Sequence, residues 1–137
     1  MIRIYEPYKI SNSIQRVSES LLNSDLTMGR KDYQEVCSRI SSLHNGLQAV
    51  PVFNGTCATH LTYKALKLKL QNIKKVVVPN NVYVAAWNSI LFDGDNVELV
   101  PVDCDLDTWC VDTNKLTSTL KSMDPSETGI MIVHNVG

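Results

Sequence analysis

A short polar turn at positions 54–57 carries the residues best suited to bind an anion. Asn54 and Gly55 separate an apolar run from a segment with helical spacing, which predicts a strand that passes through a tight turn into a helix. Gly55 allows the backbone to approach a ligand closely, and the first-turn amides of Thr56 and Cys57 lie at the positive end of the helix dipole. Phosphate is the expected ligand. The same pattern is also typical of a plain turn, and these residues alone leave both interpretations open.

Further polar and aromatic side chains follow the other predicted strands. Tyr83 comes after the second strand, Asp103 and Asp105 after the third, and His134 after the fourth. Ligands of parallel sheets bind at the carboxyl ends of the strands, so these groups would suit a flat, phosphorylated heteroaromatic ligand. Each group also has a structural alternative: the tyrosine could pack in the core, the aspartates could cap turns, and the histidine could be a hydrogen-bonded structural residue.

The elements that would position these groups alternate regularly from Leu47 onward. The predicted strands are Leu47 to Phe53, Lys75 to Pro79, Val97 to Asp103 and Gly129 to His134, and the predicted helices are Thr56 to Lys69, Val82 to Phe92 and Asp112 to Lys121. Such βαβ units indicate the α/β class with a parallel sheet. The continuously apolar strand cores are typical of strands that are covered on both faces.

The preceding residues have a different pattern. Apolar stripes at helical spacing predict helices over Ser11 to Leu22 and from about Arg30 to His44, and Asn45-Gly46 predicts a left-handed cap. We therefore divide the chain into an amino-terminal helical segment, residues 1–46, and an α/β segment, residues 47–137.

Composition excludes several classes of function. The 137 residues are 44% hydrophobic and 20% charged, with a net charge of −1, so neither nucleic acid nor an acidic membrane is an expected partner. The four cysteines are unevenly spaced without a C-x-x-C pair, which argues against a metal site or a disulfide framework. No apolar run suggests a secretory signal or a membrane span, and we expect a cytoplasmic protein.

Five motifs in matching order resemble one family. Asn54 to Leu61, N-G-T-C-A-T-H-L, resembles the N/S-G-T-x-A-x-H-L segment of the DegT/DnrJ/EryC1/StrS family, which comprises pyridoxal-phosphate-dependent sugar aminotransferases of fold type I. The other matching segments are Leu26 to Gly29 (L-T-x-G), Val78 to Ala85 (V-P-x-x-T-F-V-A), Val102 to Asp112 (V-D-V-D-P-D-T-x-x-I-D) and Val133 to Gly137 (V-H-x-x-G). The resemblance implies the amino-terminal part of an aspartate-aminotransferase-like large domain.

The resemblance also implies roles for individual residues. Gly55, Thr56 and Cys57 would hold the phosphate of pyridoxal 5'-phosphate, and Tyr83 would stack on its pyridine ring. Thr27 and Gly29 would lie near the entrance for a nucleotide-sugar substrate, at the interface of a homodimer. Glutamate would be the amino donor. Asp103 would lie near the cofactor without being the catalytic acid, and Asn80 and Asn81 depart from the family's pattern.

The resemblance does not supply catalytic residues. The family's carboxylate partner of the pyridine nitrogen and its cofactor-binding lysine lie downstream of V-H-x-x-G, and neither has a counterpart in this chain. We therefore expect an incomplete large domain that is inactive by itself. In the family's sheet order, strand Leu47 to Phe53 would lack its neighbours, so the isolated chain should be marginally stable or aggregating unless swapping or dimerisation supplies the pairing.

Two alternatives remain open. The chain could be a non-catalytic remnant or a partner subunit that keeps the phosphate-binding turn, or it could belong to a pyridoxal-phosphate-dependent sugar dehydratase of the same family. A doubly wound nucleotide-binding domain is disfavoured, because its G-x-G-x-x-G fingerprint is absent.

Overall fold

A computed structural model describes residues 10–24, 27, 31–94 and 96–135. Two helices come first, and helices and strands alternate from the third helix onward. The chain forms two compact units, Met1–Pro51 and Val52–Gly137. The elements are α1 (Ser13–Leu22), α2 (Lys31–Leu43), α3 (Gly55–Lys69), β1 (Lys75–Pro79), α4 (Val84–Leu91), β2 (Glu98–Val102), α5 (Thr113–Leu120) and β3 (Thr128–Ile130). None of the described helices combines the length and the apolar character needed to cross a membrane.

The first unit contains two amphipathic helices, as their apolar spacing predicts. The Ser20 hydroxyl on α1 donates to the Asp32 carboxylate on α2 over 3.3 Å. Asn45 and Gly46 follow α2 with positive φ angles of 55° and 79°, which confirms the predicted left-handed cap. Neither helix contains a buried residue, so both apolar stripes remain exposed in this unit.

The second unit is built on a parallel sheet with the strand order β2-β1-β3. In its centre, Val77 of β1 lies opposite Val100 of β2 and Ile130 of β3. Residues 76–79 of β1 are all buried, as the continuously apolar run predicts. The predicted α/β class with parallel strands is thus confirmed, and the observed strands are shorter than predicted at positions 97–103 and 129–134.

One cluster of buried apolar side chains lies on one face of this sheet. Tyr63 of α3 and Ile90 of α4 pack in one cluster with Val76 and Val78 of β1, so α3 and α4 cover the same face. On β3, a Cβ atom added to Gly129 would come within 2.9 Å of side chains that belong to this cluster or pack against it. The absence of a side chain at Gly129 therefore lets β3 lie close to the core.

The predicted strand Leu47 to Phe53 is wrong. The segment has no regular secondary structure, and Leu47, Val50 and Phe53 are 71%, 63% and 94% exposed. An isolated strand cannot satisfy its backbone hydrogen bonds, and no described residue pairs with this segment. Its β-branched and aromatic residues favour a strand locally, but a strand forms only beside a partner.

The outer edge of β3 is open among the described residues. β3 pairs with β1 on one side, and no described strand pairs with the other. Ile130 and Ile132 are 46% and 58% exposed beside this edge. An exposed strand edge flanked by apolar side chains favours association with another chain, and aggregation of the isolated chain stays a prediction.

The core assignment predicts different effects for two neighbouring residues of α4. Ile90 is 1% exposed, whereas Leu91 is 45% exposed. Ile90→Ala should lower the free energy of unfolding by about 2–5 kcal/mol because it leaves a cavity in the core. Leu91→Ala is the matched control and should cost about 1 kcal/mol or less. Urea unfolding followed by circular dichroism measures both, and equal losses would contradict the assignment of Ile90 to the core.

Candidate functional site

The phosphate turn predicted at positions 54–57 forms the start of α3. Asn54 precedes the helix in an extended conformation, and its side-chain Oδ1 accepts a hydrogen bond from the Cys57 amide over 2.9 Å. The Cys57 amide, one of the predicted phosphate donors, is therefore already engaged by the cap. The amides of Gly55 and Thr56 belong to the first turn, which lacks intrahelical acceptors, and Thr56 is half-buried beside them.

An ion pair and a hydrogen bond to one carboxylate fix the α3 helix to the end of α4. The carboxylate of Asp93 lies 3.0 Å from Nε2 of His60 and 2.9 Å from Nζ of Lys64. The His60 ring also contacts Phe92 edge-on, with 5.6 Å between the ring centroids. Since His60 lies in the second turn of α3, these contacts hold the phosphate turn in place. The sequence alone assigned no role to His60, Lys64 or Asp93. The i,i+4 spacing of His60 and Lys64 does place both on one helix face.

Tyr83 is the exposed aromatic residue at the end of β1. It is 78% exposed and occupies the N-cap position of α4, which packs against α3. The indole N–H of Trp87, one turn later, donates to the carbonyl oxygen of Pro79 over 3.1 Å. This hydrogen bond ties α4 to the carboxyl end of β1 and so fixes the position from which Tyr83 projects.

A second ion pair lies at the carboxyl end of β2. Asp103 accepts hydrogen bonds from the Asn80 amide and from Nζ of Lys115, each over 3.1 Å. Lys115 lowers the pKa of Asp103 more than Asn80 does, and the Asp103 carboxylate in turn raises the pKa of Lys115. Asp103 is thus a carboxylate whose negative charge is balanced by Lys115. Lys115 is a cation near this edge that sequence reasoning missed, since its partner Asp103 lies 12 residues earlier in the sequence.

The loop between β2 and α5, residues 103–112, is tied to the ends of the other strands. We call it the rim loop. The Asn81 side chain, after β1, donates to the Trp109 carbonyl over 2.9 Å. Asn135, which follows β3, donates to the same carbonyl over 3.0 Å and to the Asn81 carbonyl over 2.8 Å. The two asparagines at 80 and 81 that depart from the family's pattern therefore both bind this loop.

Trp109 itself has an unusual backbone conformation. Its φ of +59° lies in the left-handed region, which costs a residue other than glycine about 1–3 kcal/mol. The surrounding hydrogen bonds maintain this conformation. The loop could not be predicted from sequence, because tryptophan is not a residue that favours positive φ.

The remaining predicted site residues lie in the first unit. Thr27 is exposed, and Gly29 lies outside the described residues. The structure thus brings Gly55, Thr56 and Cys57 together in one helical turn and places Tyr83 on the adjoining helix α4. Their roles toward a ligand stay predictions.

The order of these elements agrees with a known family along nearly the whole chain. The profile of the DegT/DnrJ/EryC1/StrS aminotransferase family matches residues 7–137. The chain belongs to this family. Pyridoxal phosphate is the cofactor that this membership implies, and the phosphate turn and the exposed Tyr83 ring are chemically suited to it.

A solved structure shows the same fold. It is named as a putative sugar aminotransferase from Streptococcus pneumoniae in its pyridoxal-phosphate form, and it superposes with a TM-score of 0.67 at 20% sequence identity. The match covers 94% of this chain but 31% of the other, so this chain spans less than a third of that relative's length. At this identity the likeness establishes the fold alone. No curated protein matches the sequence.

The Asp93 cluster predicts a pH-dependent stability. Hydrogen bonds from Lys64 and then His60 lower the pKa of Asp93 below its ordinary value of 3.8. Because the folded-state pKa is depressed, the stabilisation is present above pH 3.8 and is lost as the pH falls through the lower, folded-state value. Asp93→Asn should therefore lower the Tm at neutral pH, and its difference from the unsubstituted chain should disappear at acidic pH.

Thermal unfolding across this pH range measures the effect. Asp107→Asn is the matched control, because its carboxylate is exposed in the rim loop and takes no part in the described Asp93 cluster. A Tm difference for Asp93→Asn that persists unchanged into strong acid would contradict the ion-pair account.

Proposed function

We propose that this chain forms the amino-terminal part of the cofactor-binding domain of a pyridoxal-phosphate-dependent aminotransferase. The substrate would be a nucleotide-linked keto-sugar in sugar or polysaccharide biosynthesis, and glutamate would donate the amino group. The observation that carries the proposal is the capped start of α3 beside the helix that bears Tyr83. Family membership supports the cofactor class, and the S. pneumoniae structure supports the fold.

The residues of the chain would divide the work of binding. The Gly55 and Thr56 amides and the Thr56 hydroxyl would bind the cofactor phosphate, and the Cys57 amide would support the turn through Asn54. Tyr83 would cover one face of the pyridine ring. When bound, the cofactor supplies the electron sink for amino-group transfer. Thr27 and Gly29 would contribute to the sugar-nucleotide entrance in a homodimer, and the site of action would be the cytoplasm.

One observation also favours a second, non-catalytic candidate. Four lysines lie in ion pairs with carboxylates: Lys64, Lys74, Lys75 and Lys115. Lys74 and Lys75 are at the amino end of β1, the end away from Tyr83. With these four lysines paired to carboxylates, the chain would bind the cofactor without using any of them for transfer. It would then act as a partner subunit that retains the phosphate-binding turn.

Substitutions of Asn54 separate helix capping from anion binding. Asn54→Asp keeps a side-chain acceptor for the Cys57 amide, so stability should be unchanged, but its negative charge opposes a phosphate at the same turn. The affinity for pyridoxal phosphate should fall about tenfold. Asn54→Ala removes the cap and should cost about 1 kcal/mol of stability without adding a charge.

Absorbance titration with pyridoxal phosphate measures the affinities. Pyridoxal, which lacks the phosphate, is the matched ligand control and should bind the Asn54→Asp variant and the unsubstituted chain equally. Equal affinities of these two proteins for pyridoxal phosphate would overturn the assignment of the turn as its phosphate site.

A further inference from the structure

The backbone conformation and the exposure of position 109 do not favour a tryptophan there. The φ of Trp109 is +59°, the residue is 61% exposed, and its carbonyl oxygen accepts hydrogen bonds from both Asn81 and Asn135. Glycine or asparagine adopts the left-handed conformation at a lower cost than tryptophan. An exposed indole also contributes little to a core. The presence of tryptophan therefore calls for another explanation.

The rim loop is held together without the indole. The amides of Asp105 and Trp109 donate to the carbonyls of Cys110 and Asp105, each over 2.9 Å. The Asp105 side chain also accepts a hydrogen bond from the Thr108 amide over 2.9 Å. These bonds use backbone atoms and the Asp105 carboxylate, so a smaller residue at position 109 would leave all of them in place.

The position of Trp109 relates it to the proposed ligand site. Its carbonyl is bound by residues that follow β1 and β3, so it lies at the carboxyl edge of the sheet. Asn81 is only two residues before Tyr83, the proposed cofactor-stacking ring. An exposed aromatic ring at this edge can stack on a planar group of a bound ligand, and such stacking is tolerant of which base is present.

We propose that Trp109 is a substrate-contacting residue whose indole stacks on the nucleobase of the nucleotide-linked substrate. Asn81 and Asn135 hold its carbonyl and thereby fix the direction in which the indole leaves the backbone. That the stacked group is a nucleobase rests on the proposed function. The exposed ring that would stack is a feature of the rim loop.

The two tryptophans of the chain allow a direct test. Because the chain has two tryptophans, Trp87→Phe leaves Trp109 as the only indole. Trp87 is half-buried, and its indole N–H donates to the Pro79 carbonyl oxygen. Uridine, thymidine and guanosine diphosphates are added separately, with inorganic pyrophosphate as the control that carries charge without a base. At least one nucleotide should reduce acrylamide quenching of Trp109 about twofold, because stacking covers one face of the ring. Pyrophosphate should have no effect.

Trp109→Phe is the matched variant, in which only Trp87 emits. Its quenching should not respond to any of the nucleotides. Unchanged quenching of Trp109 with all three nucleotides would overturn the proposal, as would an equal effect of pyrophosphate or an equal response of Trp87. If Trp87→Phe fails to fold, ¹⁹F NMR of the unsubstituted chain labelled with 5-fluorotryptophan gives the same comparison from two separate resonances.

A pyridoxal phosphate titration of Trp109→Phe distinguishes this proposal from the proposed function. Cofactor binding should be retained there, because position 109 lies outside the phosphate turn. Failure of the unsubstituted chain to bind pyridoxal phosphate would contradict the proposed function, and the response of Trp109 to nucleotides would still decide the stacking proposal.

Discussion

The burial of β1 between two parallel neighbours is the interaction on which the second unit depends. Residues 76–79 are buried, with β2 on one side, β3 on the other and the α3–α4 pair over one face. The candidate-site residues at the carboxyl edge of the sheet are connected to this strand. Asn80, Asn81 and Tyr83 continue directly from its carboxyl end, and the rim loop and Asn135 are hydrogen-bonded to the two asparagines.

The same requirement for paired strands explains where the described sheet ends. Leu47 to Phe53 has the composition of a strand but remains exposed without a described partner, while β3 leaves its outer edge open among the described residues. Both features are consistent with a chain that spans 31% of the S. pneumoniae relative. The physical cost is exposed apolar surface and unsatisfied backbone groups.

Local patterns predicted most elements, and long-range contacts decided the rest. Val76 to Val78 were predictable as a central strand because a continuously apolar run needs cover on both faces. The start of α3 was predictable from Asn54 and Gly55. The partners of Asn80 and Asn81 were not, since Asp103 and Trp109 are far away in sequence. The strand at Leu47 to Phe53 was wrong because strand formation depends on a neighbour that local composition does not reveal.

The central claim is that the chain binds pyridoxal phosphate through the turn at α3 without a covalent bond to a lysine. Intact mass after incubation with the cofactor and reduction with borohydride tests this most directly. The account predicts cofactor absorbance that dialysis removes, and no stoichiometric increase in mass. A single increment at full occupancy, mapped to one lysine such as Lys115, would contradict it and would show that this chain holds the cofactor covalently.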